Sequence, residues 1–159
     1  MSAPDDQLKR RLSQTAFEDP EQAAFLGIIV LANQMTRALD AACAPHGITH
    51  AQYNVLRVLR GAGAEGHSRK EIARRLIEHS PDTTRFLDRL ARAGLIERIP
   101  STSDRRLSVA RITAAGREVL AAADAGVAAV RHDFLGALPR ADLAALTRTV
   151  VSALKEEEG

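Results

Sequence analysis

Apolar positions three and four residues apart predict a long helix near the start of the chain. They form a single apolar face, made by Phe25, Ile28, Ile29, Ala32, Met35, Leu39 and Cys43. Pro20 opens this helix, because a missing N–H does no harm in the first turn, and Pro45 and Gly47 end it. Residues 1–19 are polar and mixed in charge, which predicts a partly helical arm.

Two shorter helices are predicted next. The first spans about residues 50–60 and is followed by a glycine-containing loop. The second begins at Ser68, because Ser68 and Glu71 have the spacing of a capping box, in which two side chains satisfy backbone N–H groups at the helix start. Its apolar residues Ile72 and Leu76 are expected to face the core.

A fourth helix is predicted between a turn at Glu78 and His79 and a stop at Gly94. Ser80 supplies an N-cap and Pro81 a first-turn proline, and glycine is the usual left-handed terminator of a helix. The third and fourth helices are therefore expected to be joined by a short turn.

The pattern changes from helix to strand after Gly94. Residues 95–99 and 107–112 are typical of two short strands. The segment 100–106 between them combines turn-forming residues with charge, which predicts a β-hairpin with a long basic tip.

Helix is predicted again beyond the hairpin. Thr113 caps an alanine-rich helix that is expected to run to about Leu138, where Pro139 interrupts it before a last helix. The apolar residues of this region exceed what a small domain buries alone, and a twofold interface would cover them. They are Val119, Leu120, Val127, Val130, Leu135, Leu143, Leu146, Val150 and Leu154.

Composition agrees with a mostly α fold. Aromatic residues make up 3% of the chain and Trp is absent, so the core must be built from aliphatic residues, among which Leu and Ala favour helix. We expect a winged helix-turn-helix, with a small β-hairpin as the wing, flanked by N- and C-terminal dimerisation helices. The parts of this one intertwined domain are 1–47 (arm and first dimerisation helix), 48–113 (DNA-binding region) and 114–159 (C-terminal dimerisation helices).

Charge is unevenly distributed along the chain. Residues 57–111 hold thirteen Lys and Arg against seven Asp and Glu, a net charge of +6, whereas the remainder has a net charge of −4. A cationic middle predicts a polyanionic partner, here double-stranded DNA. Neither a signal peptide nor a membrane span is apparent, and one cysteine forms no intramolecular disulfide, so we expect a reducing, cytoplasmic setting and no membrane partner.

The fourth helix is the candidate recognition helix. At 100° per residue one arc holds Thr83, Phe86, Leu87 and Leu90, which should face the core. The candidate DNA contacts lie on the opposite arc and its flanks: Thr84, Arg85, Asp88, Arg89 and Arg92. Arginine can grip guanine with two hydrogen bonds. Asp88 is expected either to accept from cytosine N4 or to orient Arg85 or Arg92, and the alternative for the whole face is an ordinary solvated surface.

The hairpin tip supplies a second candidate contact. Arg105 and Arg106 are adjacent on an exposed loop and suit the narrow, negative minor groove of DNA. Asp104 is expected to hold one guanidinium in place or to pair with Arg98 at the base of the hairpin. The alternative is a merely solubilising turn.

From Thr49 to Leu120 the chain resembles the MarR family of bacterial regulators. The matching segments are "ITHAQYNVLRVL", "SRKEIARRL", "TTRFLDRLARAGLIER", "DRR" and "ITAAGREVL". The resemblance implies a triangular homodimer with Arg106 in the minor groove, supported by Asp104, and with Thr84 and Arg85 near bases or backbone. Pro81 and Asp82 depart from the family's usual small or polar residues, so base preference does not carry over.

The resemblance also implies control by a small aromatic or anionic effector bound between the dimer helices and the winged region. The candidate ligand residues near that junction are Arg37, His46, His50 and Tyr53. Cys43 is expected to be a buried structural thiol, because it lies on the apolar stripe at a helix C-terminus, whose dipole disfavours a thiolate. Oxidant sensing through Cys43, or a metal held by Cys43, His46 and His50, is the alternative; we expect no metal or cofactor.

The function implied is a repressor that binds a pseudo-palindromic operator and is released by its ligand. An enzyme is the first rival, but the chain lacks a nucleophile elbow, a glycine-rich phosphate loop and an HExxH zinc motif. A winged helix used for protein contact is the second rival. It predicts acidic or apolar residues where the fourth helix and hairpin tip have arginine.

Overall fold

The computed structural model describes residues 6–77, 83–100 and 108–154 of the 159-residue chain. Within these ranges the secondary-structure elements are α1 (Asp6–Leu12), α2 (Pro20–Cys43), α3 (His50–Gly61), β1 (His67–Ser68), α4 (Arg69–Arg75), α5 (Thr83–Arg92), β2 (Ile96–Pro100), β3 (Ser108–Ile112), α6 (Ala114–Leu135) and α7 (Arg140–Ala153). A 3₁₀ turn, Ala44–His46, joins α2 to α3. The expected mostly helical fold with a small sheet is confirmed.

The predicted start and end of the long helix α2 are confirmed. Asp19 caps its start by accepting a hydrogen bond from the backbone N–H of Gln22 at 2.7 Å, and Pro20 occupies the first turn. At the other end the chain leaves through the 3₁₀ turn, which Gly47 closes in the left-handed conformation with φ of 73°. The arm before α2 is partly helical, as expected, because α1 lies within it.

The helix α4 begins with the expected capping box. The Ser68 hydroxyl accepts from the backbone N–H of Glu71 at 3.3 Å, and the Glu71 carboxylate accepts from the backbone N–H of Ser68 at 2.8 Å. These contacts hold the pKa of the Glu71 carboxyl below its usual value. Thr49 and Gln52 form a second capping box at the start of α3. The predicted turn at 78–82 lies outside the described residues.

Three strands form an antiparallel sheet in the order β1–β3–β2. In the hairpin Ile96 pairs with Ile112 and Arg98 pairs with Ala110. The strand β1 was not predicted, because two residues are too few to show an alternating pattern. It pairs with β3 at Ala110 and Val109 and so ties the start of α4 to the wing.

The hydrophobic core lies beneath the winged region and extends to the flanking helix α6. Its largest fully buried side chains are Leu56, Leu59, Ile72, Leu90, Ile112, Leu120, Val55 and Cys43. Leu87 is also buried, and Phe86 is partly buried against the core. The predicted inward face of the fourth helix is therefore confirmed, since Thr83 is only 4% exposed.

The helix α6 ends earlier than predicted. It stops at Leu135, whereas the sequence pattern predicts an end at about Leu138. Leu138 precedes Pro139, and a residue before proline is disfavoured in the helical conformation. The helix must therefore end ahead of that pair, and α7 begins at Arg140.

The junction between the winged region and the flanking helices contains a polar triad. The Tyr53 hydroxyl of α3 donates to Asp124 Oδ1 of α6 at 2.7 Å, and Arg60 Nη1 donates to Asp124 Oδ2 at 3.0 Å. Burial, and then the hydrogen bond to Asp124, raise the pKa of Tyr53 to about 12. The same bond lowers the pKa of the Asp124 carboxyl. None of the described helices is long and apolar enough to cross a lipid bilayer.

Substitution of Gly116 by Ala should destabilise the protein. A Cβ at Gly116 would overlap the carbonyl oxygen of Leu95 and come within 2.9 Å of Ile112 Cγ1, so the start of α6 would have to move. We expect the free energy of unfolding in urea to fall by about 1–3 kcal/mol. Gly126→Ala is the matched control on the same helix. A Cβ at Gly126 would make an ordinary contact with Ala42 Cβ at 3.4 Å. The higher helix propensity of alanine should then stabilise the protein by up to about 1 kcal/mol. Equal losses in both variants would contradict this packing.

Tyr53 is the only tyrosine of the chain, so phenolate absorbance reports on it directly. In the folded protein the titration midpoint of Tyr53 should lie near 12. The stability that the contact between Tyr53 and Asp124 contributes should be fully present below the unfolded pKa of about 10. It should be lost as the pH rises through the folded pKa of Tyr53. Asp124→Asn should lower the midpoint while leaving it above about 10, because burial remains. Glu118→Gln, an exposed acid on the same helix, should leave it unchanged; a folded midpoint near 10 would refute the contact.

Candidate nucleic-acid interface

The helix α5 presents a cationic face to solvent. Its buried residues Thr83, Leu87 and Leu90 fix its rotation against the core. On the other side Thr84, Arg85, Arg89 and Arg92 are exposed, as predicted, and Asp88 is partly exposed. Within the described part of the helix three guanidinium groups therefore point away from the core on a rigid element.

Asp88 joins this helix to the wing. Its Oδ1 accepts a hydrogen bond from Arg98 Nη2 on β2, so the carboxylate pairs with a residue 10 positions later in the sequence. Arg92 Nε donates to the backbone carbonyl of Asp88 at 3.3 Å, and the expectation that the Asp88 carboxylate orients Arg85 or Arg92 stays a prediction. A contact between the strand and the helix is non-local, and helical spacing could not reveal it.

Sequence reasoning missed a residue at the start of α4. Arg69 Nη1 donates to Thr84 Oγ1 on α5 at 3.4 Å. Arg69 and Arg98 also line a recess of about 220 Å³ whose other walls include Leu87, Val109 and Ala110. The sequence did contain a signal for Arg69. It directly follows the Ser68 cap, and the start of the first helix of a helix-turn-helix is a position from which a side chain can reach the DNA backbone.

The wing is a β-hairpin whose strands β2 and β3 stay paired up to the limit of the described residues. Arg111 Nη2 and Glu97 Oε1 form an ion pair at 2.8 Å across paired positions of β3 and β2. Both strands lead into the segment 101–107, which carries the predicted contacts Asp104, Arg105 and Arg106. That segment lies outside the described residues, so these three contacts remain predictions.

The four predicted ligand residues do not form one cluster. The ring of His50 stacks on that of Tyr53 with centroids 6.3 Å apart, and the His50 backbone N–H donates to Asp40 Oδ1 at 2.8 Å. Tyr53 is buried, with its hydroxyl committed to Asp124. Arg37 is exposed on α2, where its Nε donates to a backbone carbonyl of its own helix, and His46 lies in the 3₁₀ turn.

Cys43 is fully buried in the core, as predicted. Burial, and then the nearby charge of Asp40, raise the pKa of its thiol, which is the opposite of what a reactive thiolate needs. Among the residues that the structure describes, no three His, Cys, Asp or Glu side chains are grouped to hold a metal ion.

Comparisons with known proteins agree with this geometry. A model of the MarR family matches residues 48–108 of the chain. Among curated proteins none matches the sequence. The structure of CouR from Rhodococcus jostii RHA1, bound to p-coumaroyl-CoA, shares the fold at 22% identity with a TM-score of 0.71, covering 89% of this chain and 100% of that one.

Two further solved structures are more similar in sequence. A MarR family transcriptional regulator from Streptomyces coelicolor is 29% identical over 86% of this chain and 99% of its own, with a TM-score of 0.68. A MarR transcription factor from Planctomyces limnophilus is 30% identical over 87% of this chain and 100% of its own, with a TM-score of 0.65. The chain belongs to the MarR family of transcriptional regulators.

Proposed function

We propose that this chain is a sequence-specific repressor that binds a pseudo-palindromic operator as a homodimer and is released from it by a small-molecule ligand. The observation that carries the proposal is the exposed cationic face of α5, set at a fixed angle to the wing by the Asp88–Arg98 contact. MarR-family regulators are transcription factors without enzymatic activity, which argues against the enzyme alternative.

The major groove is the natural site for α5. A helix with its side chains is about 10–12 Å in diameter, so α5 fits a groove about 12 Å wide, and its ten residues extend about 15 Å along the groove. In that position Arg85 and Arg89 would reach base edges or phosphates, and Thr84 would contact the backbone or a thymine methyl group. Asp88 would act by holding Arg98, and through it the wing, at the correct angle to the helix.

Arg69 and the wing would hold the protein on the DNA backbone. Arg69 lies beside Thr84 at the start of the helix that crosses the backbone, where a guanidinium favours phosphate. Arg105 and Arg106 at the wing tip would enter the minor groove, with Asp104 orienting one of them. These contacts fix the register of α5 and are largely independent of base sequence.

Homodimerisation is supported by apolar side chains that the single chain leaves exposed. They are concentrated on α2 and around α7: Phe25, Ile28, Ile29, Leu31, Leu138, Leu146, Val150, Val151 and Leu154. Contiguous apolar surface of this kind marks an interaction site. A twofold interface would cover it and place two winged regions side by side, each over one half of a palindrome.

A ligand is supported by a structure with the same fold, since CouR is bound to p-coumaroyl-CoA. The effector proposed for this chain is a small molecule of the same general kind, which on binding releases the protein from DNA. Because the partner is DNA, the protein would act in the cytoplasm, associated with the nucleoid when bound.

Selection from a pool of random duplexes tests the proposed function. We expect a palindrome with half-sites about one helical turn apart to be enriched, with affinity falling steeply as salt rises, because phosphate contacts release counterions. Arg85→Ala should relax the preference at particular base pairs by about 1–3 kcal/mol, whereas Arg106→Ala should weaken binding to every sequence. Both are measured by titration against the enriched duplex and a scrambled one.

Arg10→Ala, at an exposed position of α1, is the control for loss of one positive charge and should bind like the parent. Retention of DNA without an enriched sequence would reject a sequence-specific repressor. If Arg85→Ala and Arg106→Ala both match the parent, the docking of α5 and the wing is wrong.

The interface is tested by placing a charge on the exposed apolar face. Ile28 is 62% exposed in the single chain, and Ile28→Asp would bury a carboxylate in the proposed dimer. We expect the dimer dissociation constant, measured by sedimentation, to rise by about a hundredfold or more. Ile77→Asp is the control, because Ile77 is 72% exposed but lies outside the flanking helices. An unchanged dimer in Ile28→Asp would exclude α2 from the interface.

A further inference from the structure

A cationic groove opens between α3 and α4, apart from the face of α5. Its volume is about 740 Å³, and its lining includes Asn54, Arg57, Val58, His67, Arg75 and Ile77. Asn54, Arg57 and Val58 fall at helical positions i, i+3 and i+4, so one continuous face of α3 forms one wall. None of the ligand residues predicted from the sequence lines it.

Asn54 is a buried polar side chain with no internal partner. The residue is 9% exposed, and across the described ranges its amide makes no hydrogen bond. No polar side-chain atom of the described residues is both buried and without a hydrogen bond, so the Asn54 amide opens into the groove or into a smaller cavity beside it that His50, Leu76 and Phe86 also line. It offers two donors and one acceptor there.

Two guanidinium groups of the groove also make no direct ion pair with a carboxylate of the described residues. Arg57 is exposed and makes no hydrogen bond or ion pair with any residue that the structure describes, although its charge acts at longer range on Asp124. Arg75 donates from Nη1 to the backbone carbonyl of Glu71 at 3.0 Å, and its charge acts at longer range on the Glu71 carboxylate.

The other charges of the groove are already engaged. Arg60 is paired with Asp124 at 3.0 Å. The Glu71 carboxylate is held by the Ser68 cap and lies 3.9 Å from His67 Nδ1. Arg57 and Arg75, one on each wall of the groove, are therefore the guanidinium groups that make no direct ion pair with a carboxylate of the described residues.

We propose that this groove binds a small organic dianion. Arg57 on α3 and Arg75 on α4 would together engage its two negative charges, carried by two carboxylates or by one phosphate, since guanidinium groups form paired hydrogen bonds with both groups. Asn54 would hydrogen-bond to an oxygen of the ligand. Val58 and the exposed side chain of Ile77 would cover its carbon skeleton. Dicarboxylates and phosphate monoesters share this chemistry.

The site has a regulatory consequence that rests on the proposed function. A dianion bridging Arg57 and Arg75 would fix α4, the first helix of the helix-turn-helix, relative to α3. The other end of α4 carries Arg69, which contacts Thr84 on the recognition helix. Occupancy of the groove would therefore alter DNA affinity.

Calorimetric titration with succinate and with phenyl phosphate tests the site on the full-length protein, with acetate at matched ionic strength as the monoanion. We expect at least one dianion to bind, and acetate to bind about tenfold more weakly or not at all. Arg57→Gln and Arg75→Gln should each weaken dianion binding by about tenfold. Arg74→Gln is the matched control, because Arg74 is exposed beside Arg75 but does not line the groove.

The side-chain amide resonances of Asn54 give an independent reading of the location, because the chain has only one other asparagine, Asn33. They should shift on addition of the bound dianion while those of Asn33 do not. Succinate binding alone would identify a dicarboxylate site and phenyl phosphate alone a phosphomonoester site. Absence of binding by both, equal binding of acetate, or equal losses in Arg74→Gln and Arg75→Gln would overturn the proposal.

DNA titrations separate this site from the proposed function. If the dianion binds through Arg57 and Arg75 but leaves DNA affinity unchanged, the site exists and its regulatory role is refuted. If the protein selects no DNA sequence, the proposed function fails while the calorimetry still decides the groove.

Discussion

Burial of α3 is the constraint on which the rest of the structure depends. Val55, Leu56 and Leu59 are fully buried, and the helix packs against α4, α5 and β3 of the winged region as well as against α2 and α6. Full burial of one such side chain contributes about 1.5–3 kcal/mol, more than an exposed ion pair supplies. A single helix therefore holds the cationic face of α5 and the apolar flanking helices in one rigid frame.

Polar contacts add orientation to this frame more than stability. The Asp88–Arg98 pair is about half exposed, and pairs of this kind contribute roughly 0–1 kcal/mol. Its effect is to set the wing against α5, which the proposed simultaneous contact with two grooves of DNA requires. The hydrogen bond from Tyr53 to Asp124 likewise orients the winged region relative to α6. Burial of Tyr53 shields this hydrogen bond from water.

Local signals explain how much of the fold could be predicted. Pro20, Ser68 and Gly94 mark helix ends by short-range chemistry, and all three were placed correctly. The end of α6 was misplaced because the alanine-rich pattern outweighed the restriction that Pro139 imposes on Leu138.

The candidate site divides in the same way. The exposed face of α5 follows from helical periodicity, so Arg85, Arg89 and Arg92 could be identified from spacing alone. The partner of Asp88, the contact of Arg69 with Thr84, and the opening of the Asn54 amide toward the groove depend on which elements meet in space. Hydrophobic periodicity contains no information about which helices and strands contact each other.

The seven residues of α4 connect the groove to the DNA-facing side. Arg69 at its start and Arg75 at its end are about 9 Å apart along the helix axis, and Ile72 and Leu76 anchor it to the core. Because a helix this short is held as a unit, a ligand that bridges Arg57 and Arg75 would change how firmly Arg69 is held beside Thr84. Linkage requires the effect to be reciprocal, and couplings of about 1–3 kcal/mol are typical. That range equals the discrimination of one arginine–guanine contact, so a ligand in the groove could cancel the energetic advantage of an operator base pair without touching DNA.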